Sequence, residues 1–530
     1  MPLHTPDTLL AALHDGACYP HPTHNIRAIH THISTIFLTD EFAYKIKKPV
    51  NFGFLDFTHL ADRKHFCEEE LRLNRRLAPQ LYLAVVPIVY HNNGHYHVAT
   101  HANYHPKTDE TIVEYAVKMQ QFNPNQQLDH LLTQQQLPIE IMDALAAKIA
   151  DFHCRIASAQ DDDIWGSPTT VMQPMQHNFV HLRTCFQALP PPLSSTQRLE
   201  RLSLLENWTQ QEYTRLHSTL LARKQGGYIR ACHGDMHVGN IALLDKEITI
   251  FDGIEFNDAL RWIDTASEIA FLVMDLEDRH ANAYAHRFLN QYLSLTGDYD
   301  SLAVLNFYKV YRALVRAKVN ALRLAQLPTQ SLEQFATLQD CDNYLQLAQQ
   351  YTQPTTPALV ITHGLSGSGK SFGCRQLVEQ LGWIQIRSDV ERKRLAHQQQ
   401  LDTSQLYAQT LTLQTYTHLA TLAQRITRHG YTVVVDATFL DRTQRDTFQQ
   451  LATNLQLPFL ILSFVGTTEQ LVENIQRRLL ANNDVSDADV KILHQQLQHY
   501  RPLQMDEPCI TIPCYTLPPI TAIQTALNKK

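Results

Sequence analysis

Apolar and polar positions alternate with a period near two over residues 25–50, as half-buried strands require. VVPIVYHNNGHYHVAT at 85–100 repeats the alternation on both sides of an Asn-Gly pair, which predicts a hairpin. The opening of the chain is therefore read as a small β-rich unit. From about 111 to 350 the apolar spacing shifts to three and four, as in PIEIMDALAAKIADFHCRIA and DTASEIAFLVMDLEDRHANAYAHRFLNQYL, with one β-like interruption at 228–256. That predicts a helical lobe. Past TQPTTPA at 352–358 the pattern changes again. The short runs ALVIT, WIQI, TVVVD, FLILSFV and CITI each adjoin a helix-like segment, as a parallel sheet in an α/β domain requires. Three regions follow: a β-rich part at 1–110, a mainly helical part at 111–350 and an α/β part at 351–530.

Composition adds a few exclusions. At 530 residues the chain is too long for one core, and 44% hydrophobic with 18% charged residues is globular composition. A formal charge of -7 argues against a chain-wide basic surface for nucleic acid and leaves room only for a local basic groove. Nine scattered cysteines without a CxxC pair read as reduced thiols in a cytoplasmic protein. The start, MPLHTPDTLLAALHDGACYP, lacks a basic region followed by a long apolar stretch, and no run approaches the ~18 apolar residues of a membrane span. Neither export nor a membrane is expected.

Gly364-Leu-Ser366-Gly367-Ser368-Gly369-Lys370-Ser371 follows the run ALVIT and precedes KSFGCRQLVEQL. A GxxxxGK[ST] string between a strand and a helix is a phosphate-binding loop. Backbone N–H groups around the glycines would close on phosphates, Lys370 would reach the β- and γ-phosphates of ATP, and Ser371 would bind Mg²⁺. Asp389, Asp436 and Thr438 stand at the ends of predicted strands, where α/β sheets bind ligands. This part resembles small-substrate P-loop kinases, including polynucleotide 5′-hydroxyl kinases, zeta toxins and gluconate-type kinases. Those families place an Asp after the second strand with an Arg three residues on. Here the pair is Asp389 and Arg392, and the resemblance implies Asp389 as general base. Asp436 is read as a Walker-B-type acid acting on Mg²⁺ through water; the alternative for either Asp is a helix N-cap. ENIQRRLLANNDVSDADVKIL looks like the lid of these kinases, with Arg477 or Arg478 stabilising the transferring phosphoryl group and Arg478 the catalytic candidate. Where a second lid arginine often stands, this chain has Ala481-Asn482-Asn483.

In the middle of the chain, His233-Gly234-Asp235-Met236-His237-Val238-Gly239-Asn240 precedes IALL, Asp-Lys, EITIF and Asp252-Gly253. Asp, four spacers, Asn, a short hairpin and Asp-Gly is the order in which eukaryotic-like kinases carry base, metal ligand, connection and second metal ligand. With Gly between His and Asp, the string resembles the aminoglycoside phosphotransferase and choline kinase superfamily, over about residues 20–340. The resemblance implies that Asp235 deprotonates the acceptor hydroxyl and that Asn240 and Asp252 hold Mg²⁺ against ATP. His233 is read first as a structural histidine. In EFAYKIKKP the strand period puts Lys45 and Lys47 on one face, and either could enter the cleft. Family patterns favour Lys45 for the ATP phosphates, with Glu70 in CEEELRLNRRLA as the helical acid that holds it. No GxGxxG string precedes them, so phosphate contacts there fall to backbone or Ser34. IVEYAVKM at 112–119 is expected to connect the lobes and to bind adenine. A metal site among His91, His95, His97, His101 and His105 is disfavoured, because Cys or acidic companions are missing.

The whole resembles bacterial two-domain proteins with an aminoglycoside-phosphotransferase-like domain followed by a predicted P-loop kinase. The expected fold is a bilobal protein-kinase-like unit of mixed α+β class, with a small β-rich N-lobe and a helical C-lobe, followed by a P-loop α/β domain with a parallel sheet. The expected function is a bifunctional, ATP- and Mg²⁺-dependent phosphotransferase in which each unit phosphorylates a hydroxyl of a small-molecule acceptor. Two alternatives concern the P-loop half: a polynucleotide 5′-hydroxyl kinase, which would make nucleic acid a partner, or an ATP-driven regulatory module that transfers nothing.

Overall fold

The computed structural model describes the chain except residues 1–5, 52–54, 192, 325, 329–330, 403–404, 407, 482–488 and 529–530. It divides into two compact units. The first comprises Met1–Pro138, Phe152–Pro174 and Leu220–Leu272; the second comprises Ile139–Asp151, Met175–Thr219 and Val273–Lys530.

In the first unit, β1 (Arg27–His30), β2 (Ser34–Thr39), β3 (Phe42–Lys47), β4 (Tyr82–His91), β5 (Tyr96–Val98) and β6 (Glu110–Gln120) form an antiparallel sheet in the order β1-β2-β3-β6-β4-β5. Strand alternation sends Tyr44 and Ile46 into one apolar cluster with Phe37, Val86, Ile88 and Ala116. It therefore turns Lys45 and Lys47 to the opposite face, which carries Tyr82, Val85 and Val117. The helix Leu60–Asn74 contributes Cys67 to that second cluster and also buries Glu70 and Asn74. The segment 112–119, expected to connect lobes, is instead part of β6, hydrogen-bonded between β3 and β4. Its alternation of Ala116 and Val117 between the two clusters is a strand signature that the neighbouring helical spacing obscured.

The β-like interruption resolves into two short pairs. β7 (Ile229–Ala231) pairs antiparallel with β10 (Trp262–Asp264), and β8 (Ile241–Leu244) with β9 (Glu247–Ile250). The HGD string is the loop from β7 to β8, and Asp252-Gly253 follows the hairpin directly.

In the second unit all five predicted strands form: β11 (Leu359–His363), β12 (Ile384–Arg387), β13 (Val433–Asp436), β14 (Phe459–Val465) and β15 (Cys509–Pro513). They make one parallel sheet in the order β12-β13-β11-β14-β15. Val360, Val434, Leu460 and Leu462 pack with Leu377 of the helix Lys370–Leu381 and Ile523 near the carboxy terminus. Near-continuous apolar strands are what burial on both faces selects. Among the described residues no helix is long and apolar enough to cross a membrane, and all nine cysteines are free thiols.

An ion pair of this unit is buried on both sides. Arg445, on the helix Arg442–Asn454, donates to both carboxylate oxygens of Glu507 at 2.6 and 3.1 Å and to the carbonyl of Phe439 at 3.0 Å, with both side chains 1% exposed. Removing one partner strands a buried charge, so Arg445→Ala is expected to lower stability by about 3–5 kcal/mol in urea unfolding. Arg445→Met combined with Glu507→Leu should recover most of that; a single-variant loss under about 1 kcal/mol would show that the pair is solvated.

Two candidate active sites

The first site is organised by buried charge. Glu70 is fully buried and receives both lysines of β3: Lys45 Nζ lies 2.8 Å from Oε1 and Lys47 Nζ 2.8 Å from Oε2. Lys45 also donates to Asp252 Oδ1 at 2.6 Å, whereas Lys47 donates to Glu255 and stands 5.1 Å from the Phe57 ring. Burial opposes charge on both lysines, but Asp252, Glu70 and Glu255 outweigh it for Lys45, and Glu255 and Glu70 for Lys47, raising both above the usual lysine value. Burial likewise opposes ionisation of Glu70, and the two lysines overcome it and hold it below the usual range. Glu255 faces mainly one cation, and burial pushes it up. The two lysines are thus distinguished: Lys45 reaches Asp252, and Lys47 closes an internal cluster. Glu255 was not visible as a site residue in the sequence; its only signal is its place three residues after Asp252.

Asp252 has a left-handed backbone (φ 62), its N–H donates to the Tyr82 hydroxyl at 3.1 Å, and Gly253 N–H donates to Asn74 Oδ1 at 2.7 Å. A non-glycine residue in that region is held by its surroundings. The HGD loop is anchored from behind. Glu268 accepts from Gly234 N–H at 2.7 Å and pairs with His153 Nε2 at 2.9 Å. Gly234 is itself left-handed (φ 89), and a Cβ there would lie 2.8 Å from the Leu260 carbonyl. His233 Nε2 bonds the Phe251 carbonyl at 3.0 Å, so that nitrogen carries the proton, and burial lowers the ring's pKa. A neutral, buried histidine tying the loop to the hairpin's exit matches a structural role. Asn240 Nδ2 donates to the Asp235 carbonyl at 3.0 Å and its Oδ2 at 3.1 Å, bringing the two motif ends together. Ser34 is buried and stands opposite Lys47 across β2 and β3.

Of the disfavoured histidines, His91 Nε2 bonds His97 Nδ1 at 2.8 Å across the hairpin. Among the described residues the group with ligand atoms close enough for a metal is His153, Cys232 and Glu268, whose carboxylate is already engaged by His153 and Gly234.

The second site opens above the central strands of the parallel sheet. Because β11 and β13 are neighbours, Ser371 at the start of the P-loop helix meets Asp436 at the end of β13: its Oγ donates to Oδ2 at 2.7 Å. Lys370 Nζ folds back onto the carbonyls of Gly364 (3.0 Å) and Leu365 (2.8 Å), and burial, only partly opposed by Asp436 and Asp389, lowers its pKa. Gly364 takes φ 139, and a Cβ there would lie 2.4 Å from the Phe464 carbonyl. Gly364 N–H donates to the Thr438 carbonyl at 3.1 Å. A cleft of about 1100 Å³ is lined by Ser366, Gly367, Gly369, Lys370, Ser371, Asp389 and Asp436, with Arg375, Arg387, Arg392, Arg477, Arg478 and Arg501. Ser368 is buried behind the loop. Neither Asp389 nor Asp436 is a helix N-cap: those positions are Arg387 and Asp441. Arg392 lies 3.5 Å from Asp389, as the spacing of three suggested. Arg477 pairs with Glu473 at 2.7 Å on the surface, while the charge of Arg478 acts on Lys370. Asn482 and Asn483 lie outside the described residues.

Residues 359–503 match the family model of the AAA domain. An uncharacterized protein of Mycobacterium tuberculosis (strain ATCC 25618 / H37Rv) is 28% identical over 483 residues, covering 89% of this chain and 91% of the relative. Among solved structures, a choline/ethanolamine kinase family protein from Mesorhizobium loti aligns with TM-score 0.37 at 10% identity, over 65% of this chain and 99% of that one. A gluconokinase from Sinorhizobium meliloti aligns with TM-score 0.24 at 20% identity, over 33% of this chain and 91% of that one.

The charge cluster gives a test of its own. Lys47→Met leaves Glu70 and Glu255 buried with one cation fewer, at an expected cost of about 3–5 kcal/mol at neutral pH. In the wild type the depressed Glu70 adds stability above the unfolded carboxyl pKa of about 4.3 and loses it as pH falls through the folded value. In the variant Glu255, already pushed up by burial, has lost its main cation and is raised further, so the stability gap should narrow as pH falls from about 7 to about 5. A gap constant with pH in parallel unfolding curves would contradict the cluster.

Proposed function

We propose that the chain is a bifunctional ATP- and Mg²⁺-dependent phosphotransferase, each unit transferring the γ-phosphoryl group of ATP to a hydroxyl of a small-molecule acceptor. What supports this reading is that Lys45 lies 2.6 Å from Asp252 and Asp235 accepts from Asn240 in one unit, while Lys370, Asp436 and Asp389 line one cleft in the other, so each unit has its own candidates for phosphate-binding lysine, metal-binding acid and base. The donor sets suit the proposed metal. Asn240 with Asp252, and Ser371 with Asp436, are hard oxygen ligands that fit Mg²⁺. Mg²⁺, when bound, neutralises charge on the phosphate oxygens.

In the first unit, Asp235 takes the proton of the acceptor hydroxyl as its oxygen bonds the γ-phosphorus and the bond to the β-phosphate bridging oxygen breaks, releasing ADP. Lys45, held by Glu70, orients the α- and β-phosphates. Asn240 fixes the base by its bond to the Asp235 carboxylate. In the second unit, Asp389 serves as base, the loop Gly364–Ser371 cradles the phosphates, Lys370 leaves its carbonyl partners for the β- and γ-phosphates, and Arg478 stabilises charge on the group in flight. The limits 1–110, 111–350 and 351–530 are proposed as a functional division only: β6 (Glu110–Gln120) crosses the first of them, and residues 139–151, 175–219 and 273–350 fold in the compact unit that holds the P-loop.

The test is untargeted mass spectrometry of a metabolite extract incubated with ATP, Mg²⁺ and full-length protein. Asp235→Ala should reduce one phosphorylated product by about 10²–10⁴-fold, the usual share of general-base assistance, and leave another in place. Lys370→Ala should do the converse. EDTA should abolish both and Mg²⁺ restore both. One product lost in both variants, or activity that survives chelation, would contradict the reading. A product labelled only on 5′-hydroxyl oligonucleotides would replace the small acceptor of the second unit with nucleic acid.

A further inference from the structure

β12 is an edge strand of the parallel sheet. Ile384 N–H points inward and donates to the Thr432 carbonyl at 2.9 Å, so strand alternation turns the Trp383 carbonyl and the Gln385 N–H outward. Asn290 meets both. Its Nδ2 donates to Trp383 O at 3.0 Å and its Oδ1 accepts from Gln385 N–H at 2.8 Å. These partners fix the amide's orientation, since a carbonyl only accepts and an N–H only donates. One side-chain amide, 9% exposed on the helix Asn282–Thr296, thus stands in for the missing strand. The same helix is fastened to the end of the P-loop helix: His286 Nδ1 bonds the Glu379 carbonyl at 3.1 Å, and Arg287 donates to the Glu379 carboxylate at 3.0 Å.

The connection continues into the site. Gln385 Nε2 donates to Asp436 Oδ2 at 2.8 Å, the same oxygen that accepts from Ser371 at 2.7 Å. We propose that Asn290 is a positioning residue of the P-loop site: it pins β12 at Gln385, and the Gln385 amide holds the Asp436 carboxylate in the orientation that faces Ser371. The proposal rests on the P-loop phosphotransferase reading and deepens it. It makes a helix far upstream of the P-loop part of that site's machinery, and the residue after Asn290, Gln291, lines the same cleft together with Asp143. The chemistry is specific. A neutral donor on one carboxylate oxygen fixes which oxygen remains for the metal, so its loss weakens metal-dependent nucleotide binding ahead of anything else.

The test uses the full chain carrying Asp252→Ala, so that Mg²⁺-dependent binding of the ATP analogue AMP-PNP reports the P-loop site. In that parent, Asn290→Ala and Gln385→Met should each raise the Mg²⁺ concentration for half-maximal AMP-PNP binding by about tenfold, the scale of a lost hydrogen bond to a charged group. Leu295→Ala, an exposed position on the same helix, should leave it unchanged. Gln385→Met is nearly isosteric and keeps both backbone bonds to Asn290, so it remains informative if Asn290→Ala fails to fold. A Mg²⁺ midpoint unmoved in Gln385→Met, or lowered melting temperature without a midpoint shift in Asn290→Ala, would overturn the positioning role and leave the P-loop reading standing. Absence of Mg²⁺-dependent AMP-PNP binding in the parent would overturn that reading and the inference with it.

Discussion

Glu70 is a carboxylate without access to water, and a buried charge persists only when it is paired. That constraint sets the geometry of the first unit. The helix Leu60–Asn74 must present the acid to the one sheet face where β3 offers two lysines, and the two must divide between them. Lys47 is absorbed by Glu255, which leaves Lys45 as the cation that extends to Asp252. The second unit meets a similar requirement at Asp436, which is 5% exposed and takes hydrogen bonds from Ser371 and Gln385 on one oxygen. In both units the acid proposed for the metal is fixed in place by the protein's own donors, the preorganisation on which electrostatic catalysis depends.

Much of this was legible in the chain. The GxxxxGKS string between two elements of the right type located the P-loop, and the five apolar runs of the carboxy-terminal part are the five strands of its sheet. The HGD-x4-N string and the Asp-Gly after the hairpin marked Asp235 and Asn240, which the structure joins by a hydrogen bond. These features are local: a few consecutive residues hold both the chemistry and the turn that presents it.

What stayed hidden is long-range. The period of β3 put Lys45 and Lys47 on one face, yet only Glu255 and Asp252, more than two hundred positions away, tell them apart. The segment 112–119 looked like a connector because it opens the stretch whose spacing reads as helical, and its place as a central strand depends on partners β3 and β4. Asn290 sits in an ordinary amphipathic helix, and its partnership with Trp383 and Gln385 arises only where that helix caps the sheet edge. Sequence motifs mark the groups that would meet substrate; the groups that orient them are chosen by packing.

The central claim is that each unit binds ATP through a complete set of its own. Calorimetric titration of the full-length chain with AMP-PNP at saturating Mg²⁺ tests it most directly. Two binding sites per chain are expected, falling to one in Lys370→Ala while the protein remains folded. A stoichiometry of one in the intact chain would contradict it.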